Sequence, residues 1–286
     1  MIKSSSAKKA SSVLYVSPLL LYSLIRKICQ TIKLPMLRQV SIISLFSLLS
    51  VAFSAHATDQ SACKNQDSAC LSKRSVADVI KKISPRVENR LRTFFDKAGV
   101  SYPPSRLTLI GLKDEMELEV WAESDGRWVY IVTYDVLAAS GDIGPKRKAG
   151  DRQVPEGIYR ISTLNPNSRF HLSMKLDYPN DYDRMKARQD GRSNLGGDIY
   201  IHGKAKSRGC IAMGDAAIEE LFVLAARTGI ENTQVLIAPY DFRNKASVSY
   251  LMKTGPAWLP ELYKIIGREM KGYTAREASL PRSLSN

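Results

Sequence analysis

Between residues 106 and 238 the chain is written as short β-rich runs broken by turn residues, with one clear helical stretch among them. The runs are 106–112, 116–122, 128–134, 157–162, 170–176, 198–202 and 233–238. Runs this short bury their apolar residues only by pairing with one another in a sheet. Glu123-Ser124-Asp125-Gly126 joins two of them as a hairpin, and Asn165-Pro166-Asn167-Ser168 supplies a further turn. The helical stretch is 215–227, with Asp215 as its N-cap, Ile218, Leu221, Phe222 and Leu224 along its apolar side, and Gly229 at its end. Upstream, 75–83 and 85–98 read as a helix broken at Ser84-Pro85, where a capping serine precedes a first-turn proline. A last helix is expected within 257–271, while 241–254 fits either a short helix or a loop. The expected class is α+β, mostly β, with flanking helices.

The N-terminus reads as an export signal. Met36-Leu37-Arg38 opens a second start, 40–53 is largely apolar, and Ala55-His56-Ala57 is a small-residue cleavage site. Translation therefore starts at Met36, or the leader is long; an uncleaved anchor is the alternative. The first 57 residues hold seven of the 42 basic residues and no acid, so the remainder carries 35 against 28, a net of +7. A moderately basic exported protein suits an anionic polymer or a membrane surface. Nucleic acid is not an expected partner, because export separates the protein from it and no recognition motif is present. Cys63 and Cys70 lie close together in a polar segment and suit a small disulfide loop in an oxidising compartment; the alternatives are that both stay reduced or that one pairs with Cys210. With the first pairing, Cys210 is the odd thiol.

That thiol sits in Ser207-Arg208-Gly209-Cys210, eight residues after His202. A thiol attacks as the thiolate, and a nearby imidazole takes its proton. A glycine beside the cysteine lets successive backbone N–H groups converge on one point, as an oxyanion hole requires. The bland alternative is a small buried cysteine. A metal site is disfavoured: His171 is the other histidine of the body of the chain, and zinc takes about four ligands. No metal and no organic cofactor is expected.

Several segments together resemble the YkuD-type L,D-transpeptidase family, in its YafK-like branch. Gly144 to Asp151 lead into Pro155-Glu156-Gly157-Ile158-Tyr159, similar to the family's entry into an apolar strand. Tyr178-Pro179-Asn180-Asp181-Tyr182-Asp183-Arg184 is similar to a signature of the branch, and Ile201-His202-Gly203 with Ser207-x-Gly209-Cys210 matches the catalytic histidine and nucleophile turn. The resemblance spans roughly 106–240. It implies a β-sandwich or barrel-like catalytic domain over 105–240, after a leader over 1–57 and a linker with a helical segment over 58–104. A C-terminal helical extension and tail fill 241–286.

By the same resemblance Cys210 is the nucleophile and His202 its general base and later proton donor. The Gly203 carbonyl orients the imidazole, and the N–H groups of Arg208, Gly209 and Cys210 form the oxyanion hole. Arg184, Lys206 and Ser207 are the candidates for substrate contact, with Ser207 equally suited to stabilising the turn. Arg208 stands where most members carry a second histidine, and the spacer between His202 and Cys210 is short. The implied substrate is the peptidoglycan stem peptide, cut at the L,D bond of meso-diaminopimelate. The acyl group then passes to an amine, as in a transpeptidase that remodels the cell wall, or to water, as in a hydrolase that releases lipoprotein bound to peptidoglycan. A silent wall-binding module is the remaining alternative. The expected location is the periplasm or cell envelope.

Overall fold

The computed structural model describes residues 73–243 and 255–274. The leader, Cys63, Cys70 and residues 244–254 lie outside the described residues.

Among the described residues the first element is helix α1 (Val76–Ala98), which runs unbroken through Pro85. Its N-cap is Ser75, not Ser84. The Ser75 hydroxyl accepts from the Asp78 N–H at 3.1 Å, and the Asp78 carboxylate accepts from the Ser75 N–H at 2.8 Å. That reciprocal pair satisfies two backbone donors at one end. The apolar stripe of Val79, Ile80, Val87, Leu91 and Phe95 continues across the proline, so packing holds the two halves in one helix. Gly99 stops it at φ 67°, as a left-handed C-cap.

Nine strands follow: β1 (Leu107–Leu112), β2 (Glu117–Ser124), β3 (Arg127–Asp135), β4 (Ala138–Ala139), β5 (Gly157–Asn165), β6 (Ser173–Leu176), β7 (Tyr200–His202), β8 (Ile211–Ala212) and β9 (Thr233–Ala238). They form a mixed sheet in the order β3-β2-β1-β9-β5-β6-β7-β8-β4. The pairs β1–β9 and β7–β8 are parallel, and the remaining neighbours are antiparallel. Helix α2 (Asp181–Gln189) interrupts the chain between β6 and β7; α3 (Asp215–Thr228) and α4 (Leu259–Met270) complete the set. This is the mostly-β α+β fold that the sequence implied.

Strands β1, β2 and β9 are buried on both faces over most of their length. Leu107, Leu109, Leu118, Val120, Val235 and Ile237 belong to a core shared with α1 and α3. The intervening Ile110, Leu112, Trp121, Leu236 and Ala238 belong to a second core with Leu259, Leu262, Tyr263, Ile266 and Met270 of α4. Period-two alternation thus sorts one strand's residues between two cores.

Two local expectations change. Residues 170–172 are not strand: His171 sits at φ 73° in a bend, and its Nε2 pairs with Glu219 Oε1 at 2.8 Å. Helix α3 is capped at Gly214, not Asp215. The Asp215 carboxylate accepts instead from the Lys204 N–H at 2.9 Å, tying the helix start to the loop after His202.

Candidate active site

His202 ends β7, between Ser173 of β6 and Ala212 of β8. Its backbone is held by the Met213 N–H, which donates to its carbonyl at 2.8 Å. The ring Nδ1 lies 2.6 Å from the Gly203 carbonyl oxygen. A carbonyl only accepts, so Nδ1 carries the hydrogen and the neutral ring keeps its lone pair on Nε2. The residue is 3 % exposed, and burial lowers the imidazole pKa, partly offset by the Gly203 bond. Phe170 lies tilted over the ring at 4.5 Å between centroids.

Gly203 has no room for a side chain. A Cβ there would stand 2.6 Å from both the Phe170 carbonyl oxygen and Asp215 Oδ1. The same close packing delivers the Gly203 N–H to Leu172 O at 3.1 Å.

The parallel register pairs Ile201 with Ile211 and His202 with Ala212. Cys210 directly precedes β8, the parallel neighbour of β7, and His202 ends β7, so strand pairing brings the two residues onto adjacent stretches of chain. The half-buried sulfur lies 3.7 Å from the Asp198 carbonyl oxygen. Burial pushes the Cys210 thiol up; the Tyr200 N–H draws it down, Asp198 pushes it up again, and Lys146 draws it down. With the thiol raised and the imidazole lowered, both shifts favour the neutral forms of the two groups.

The turn before Cys210 differs from expectation in two respects. Gly209 sits at φ 98° with the Gln153 carbonyl oxygen 3.2 Å from where a Cβ would be, so glycine is required. Its N–H, however, donates to Ser140 Oγ at 2.6 Å. A donor already taken does not serve an oxyanion, so Gly209 leaves the expected oxyanion hole. The Ser207 hydroxyl points at the Cys210 carbonyl oxygen at 2.6 Å, which makes it part of the turn and not a substrate contact.

Lys206 and Arg208 are exposed on the same loop. Arg184 lies on α2, where it pairs with the Pro179 carbonyl oxygen and, at 3.7 Å, with Asp181. The signature around it has a structural meaning: Asn180 and Asp183 form a reciprocal capping box, and Asn180 Nδ2 donates to the Ile158 carbonyl oxygen at 2.9 Å. Lys146 is buried against Asp151 Oδ1 at 2.5 Å. Beside the nucleophile turn opens a cleft of about 620 Å³ lined by Arg147, Lys148, Arg192 and Gln153 among others. Gln153 belongs to both the cleft wall and the backing of Gly209. Ser140, Gln153, Phe170 and Asp198 were not legible as site residues in the sequence.

Residues 110–237 match the family model of the YkuD L,D-transpeptidase catalytic domain. Over that segment the chain is similar to the YkuD family. Over 133 residues it is 31 % identical to YafK of Escherichia coli K12, whose name assigns it to the L,D-transpeptidases; the match covers 45 % of this chain and 52 % of that protein. The chain thus spans about half the length of the curated relatives it matches. Among solved structures it is similar to the helical cell shape determining protein Pgp2 from Campylobacter jejuni, at 22 % identity and a TM-score of 0.40 over 48 % of each chain. Bd1075 of Bdellovibrio bacteriovorus is similar at 21 % identity and a TM-score of 0.36, over 60 % of this chain and 57 % of that one. The matched segment holds β7, β8, His202 and Cys210, while α1 and α4 lie outside it.

Proposed function

We propose that this chain is an exported cysteine acyl transferase that acts on peptidoglycan stem peptides at the L,D bond of meso-diaminopimelate. The observation that carries the reading is the pairing of β7, which ends on His202, with β8, which Cys210 directly precedes, together with an imidazole oriented through Nδ1 by the Gly203 carbonyl at 2.6 Å. Nucleophile, base and orienter are thereby supplied by one short stretch of chain, from His202 at the end of β7 to Cys210 before β8.

In the proposed reaction His202 Nε2 takes the thiol proton as Cys210 Sγ attacks the carbonyl carbon. The carbonyl oxygen becomes an oxyanion facing the N–H groups of Cys210 and Arg208. The C–N bond then breaks, and His202 gives its proton to the leaving amine. The thioester is next attacked by an amine of a second stem peptide, or by water. His202 takes a proton from that acceptor and returns it to the departing sulfur, which restores the resting pair. Stem peptides carry carboxylates, and exposed Lys206 and Arg208, with Arg147, Lys148 and Arg192 in the adjoining cleft, suit their charge. The apolar run and cleavage site before residue 58 support work in the periplasm or cell envelope.

The test is mass spectrometry of tetrapeptide-rich sacculi carrying bound lipoprotein, treated with the purified protein or with Cys210→Ala. New 3→3 cross-linked dimers that need Cys210 are the expected result. Loss of lipoprotein or of cross-links without new dimers would make water the acceptor and the chain a hydrolase. Profiles that match untreated wall for both proteins would leave a wall-binding module.

A further inference from the structure

We propose that Ser140 is a positioning residue for the nucleophile: its hydroxyl fixes the Arg208–Gly209 peptide plane and that of Ser207 the Cys210–Ile211 plane, on either side of the plane that bears the Cys210 N–H. The proposal rests on the acyl-transfer reading above and extends it to a residue outside the nucleophile turn, 67 positions before Ser207.

Ser140 follows β4, whose register pairs Ala138 with Ala212 and Ala139 with Ile211. The antiparallel ladder therefore delivers the next residue, Ser140, alongside Cys210. Every polar group of Ser140 is engaged there. Its N–H donates to Ser207 Oγ at 3.0 Å, and its carbonyl accepts from the Val154 N–H at 3.3 Å. Its hydroxyl donates to the Arg152 carbonyl oxygen at 2.8 Å and accepts from the Gly209 N–H at 2.6 Å.

Proton counting fixes the directions. A hydroxyl has one hydrogen to give. That of Ser207 goes to the Cys210 carbonyl oxygen at 2.6 Å, and that of Ser140 goes to Arg152. The 3.1 Å between the two hydroxyl oxygens is then proximity without a shared proton. The result is a division of labour. Ser140 holds the peptide plane between Arg208 and Gly209 through the Gly209 N–H, and Ser207 holds the plane after Cys210 through the Cys210 carbonyl. The remaining plane, which bears the Cys210 N–H, is set by its two neighbours. That N–H is the amide best placed for an oxyanion at the carbonyl under attack, so its direction governs the transition state more than substrate binding.

The test compares wild type, Ser140→Ala and Ser140→Thr in the full-length protein. The measurements are kcat and KM on tetrapeptide wall material, hydrogen exchange of the Gly209 amide by NMR, and thermal midpoint. Ser140→Ala is expected to lower kcat by about tenfold to a hundredfold with little change in KM. The Gly209 amide should exchange at least several-fold faster, with the thermal midpoint nearly unchanged. Ser140→Thr, which keeps the hydroxyl, should restore both kcat and exchange protection. An unchanged kcat in Ser140→Ala overturns the proposal. So does a loss of kcat that tracks a fall in thermal midpoint and is not rescued by threonine, because that is the signature of a merely structural residue. Should the wild type turn over no wall material, the acyl-transfer reading fails separately. Gly209 exchange then decides for Ser140: faster exchange in Ser140→Ala upholds its hold on the turn, and equal exchange removes it.

Discussion

Phe170 lies at 38 % exposure with its ring tilted 34° over the imidazole of His202. An aromatic ring left this open on one side usually covers something on the other, and here it shields the base from water. Burial is the main cause of the lowered His202 pKa. A lowered imidazole pKa means that the base stays neutral, and able to accept a proton, to a lower pH than an ordinary histidine. The acid limb of kcat/KM should therefore fall below the ordinary imidazole range. Phe170→Ala exposes the ring and should move that limb, and the His202 pKa followed by NMR titration, back toward the ordinary value. Equal titration curves for wild type and Phe170→Ala would show that the phenyl ring contributes nothing to the shift. Burial raises the Cys210 thiol as it lowers the imidazole, so both shifts favour the uncharged forms.

Helix α2 shows how a signature motif serves folding before chemistry. Asp183 closes the capping box on the Asn180 N–H at 3.0 Å and accepts from Tyr159 OH at 3.3 Å, yet burial still raises its pKa from 3.8 to about 6. Between those two values the folded protein holds a proton that the unfolded chain has released. Stability therefore falls as pH rises from 3.8 to about 6, and the full penalty persists above it. That penalty is on the order of 2–3 kcal/mol. Asp183→Asn keeps an oxygen for the Asn180 N–H and has no charge to bury. Urea unfolding of this variant should lose the slope over that pH range, and stability at pH 7 should hold or rise by about 2 kcal/mol. A variant that keeps the wild-type slope would place the titration elsewhere. The capping box was present in the sequence as Asn180-x-x-Asp183, but the nine residues of α2 are mostly charged and offer no apolar stripe to announce a helix. Helix α1 failed in the opposite way. Its stripe was legible, but Ser84-Pro85 imitated a cap while burial kept the helix whole. His202 and Cys210 were legible because one short stretch of chain carries both. Their partners Ser140, Gln153 and Phe170 were not, because contacts made across a sheet leave no spacing in the chain.

At the scale of the molecule, a buried network ties the three elements that frame the site. Lys113, just after β1, reaches Glu156 Oε1 at 2.9 Å, the Gly144 carbonyl oxygen at 2.8 Å and the Val154 carbonyl oxygen at 3.2 Å. Glu156, just before β5, also accepts from the Gly144 N–H at 2.7 Å and from Tyr263 OH of α4 at 2.9 Å. The Lys113 and Glu156 side chains are 7 % and 0 % exposed. Burial lowers the Lys113 pKa and the Glu156 carboxylate draws it back up. The loop from Gly144 to Val154, which carries Lys146 and Gln153 to the nucleophile turn, is thus pinned at both ends by one ion pair, and α4 is pinned to it. Charges held this deep make the network cooperative. Lys113→Met strands the carboxylate and should destabilise by about 3–5 kcal/mol. Tyr263→Phe removes one neutral donor and should lose about 1–2 kcal/mol. In Lys113→Met the Glu156 carboxylate leans harder on Tyr263, so the double variant should depart from the sum of the singles by about 0.5 kcal/mol or more in urea unfolding. Strict additivity would mean that α4 and the loop are held independently. The non-additive result carries a consequence for the site: loosening α4 alone should then speed hydrogen exchange at Gly209, because Gln153 backs that glycine from the same loop.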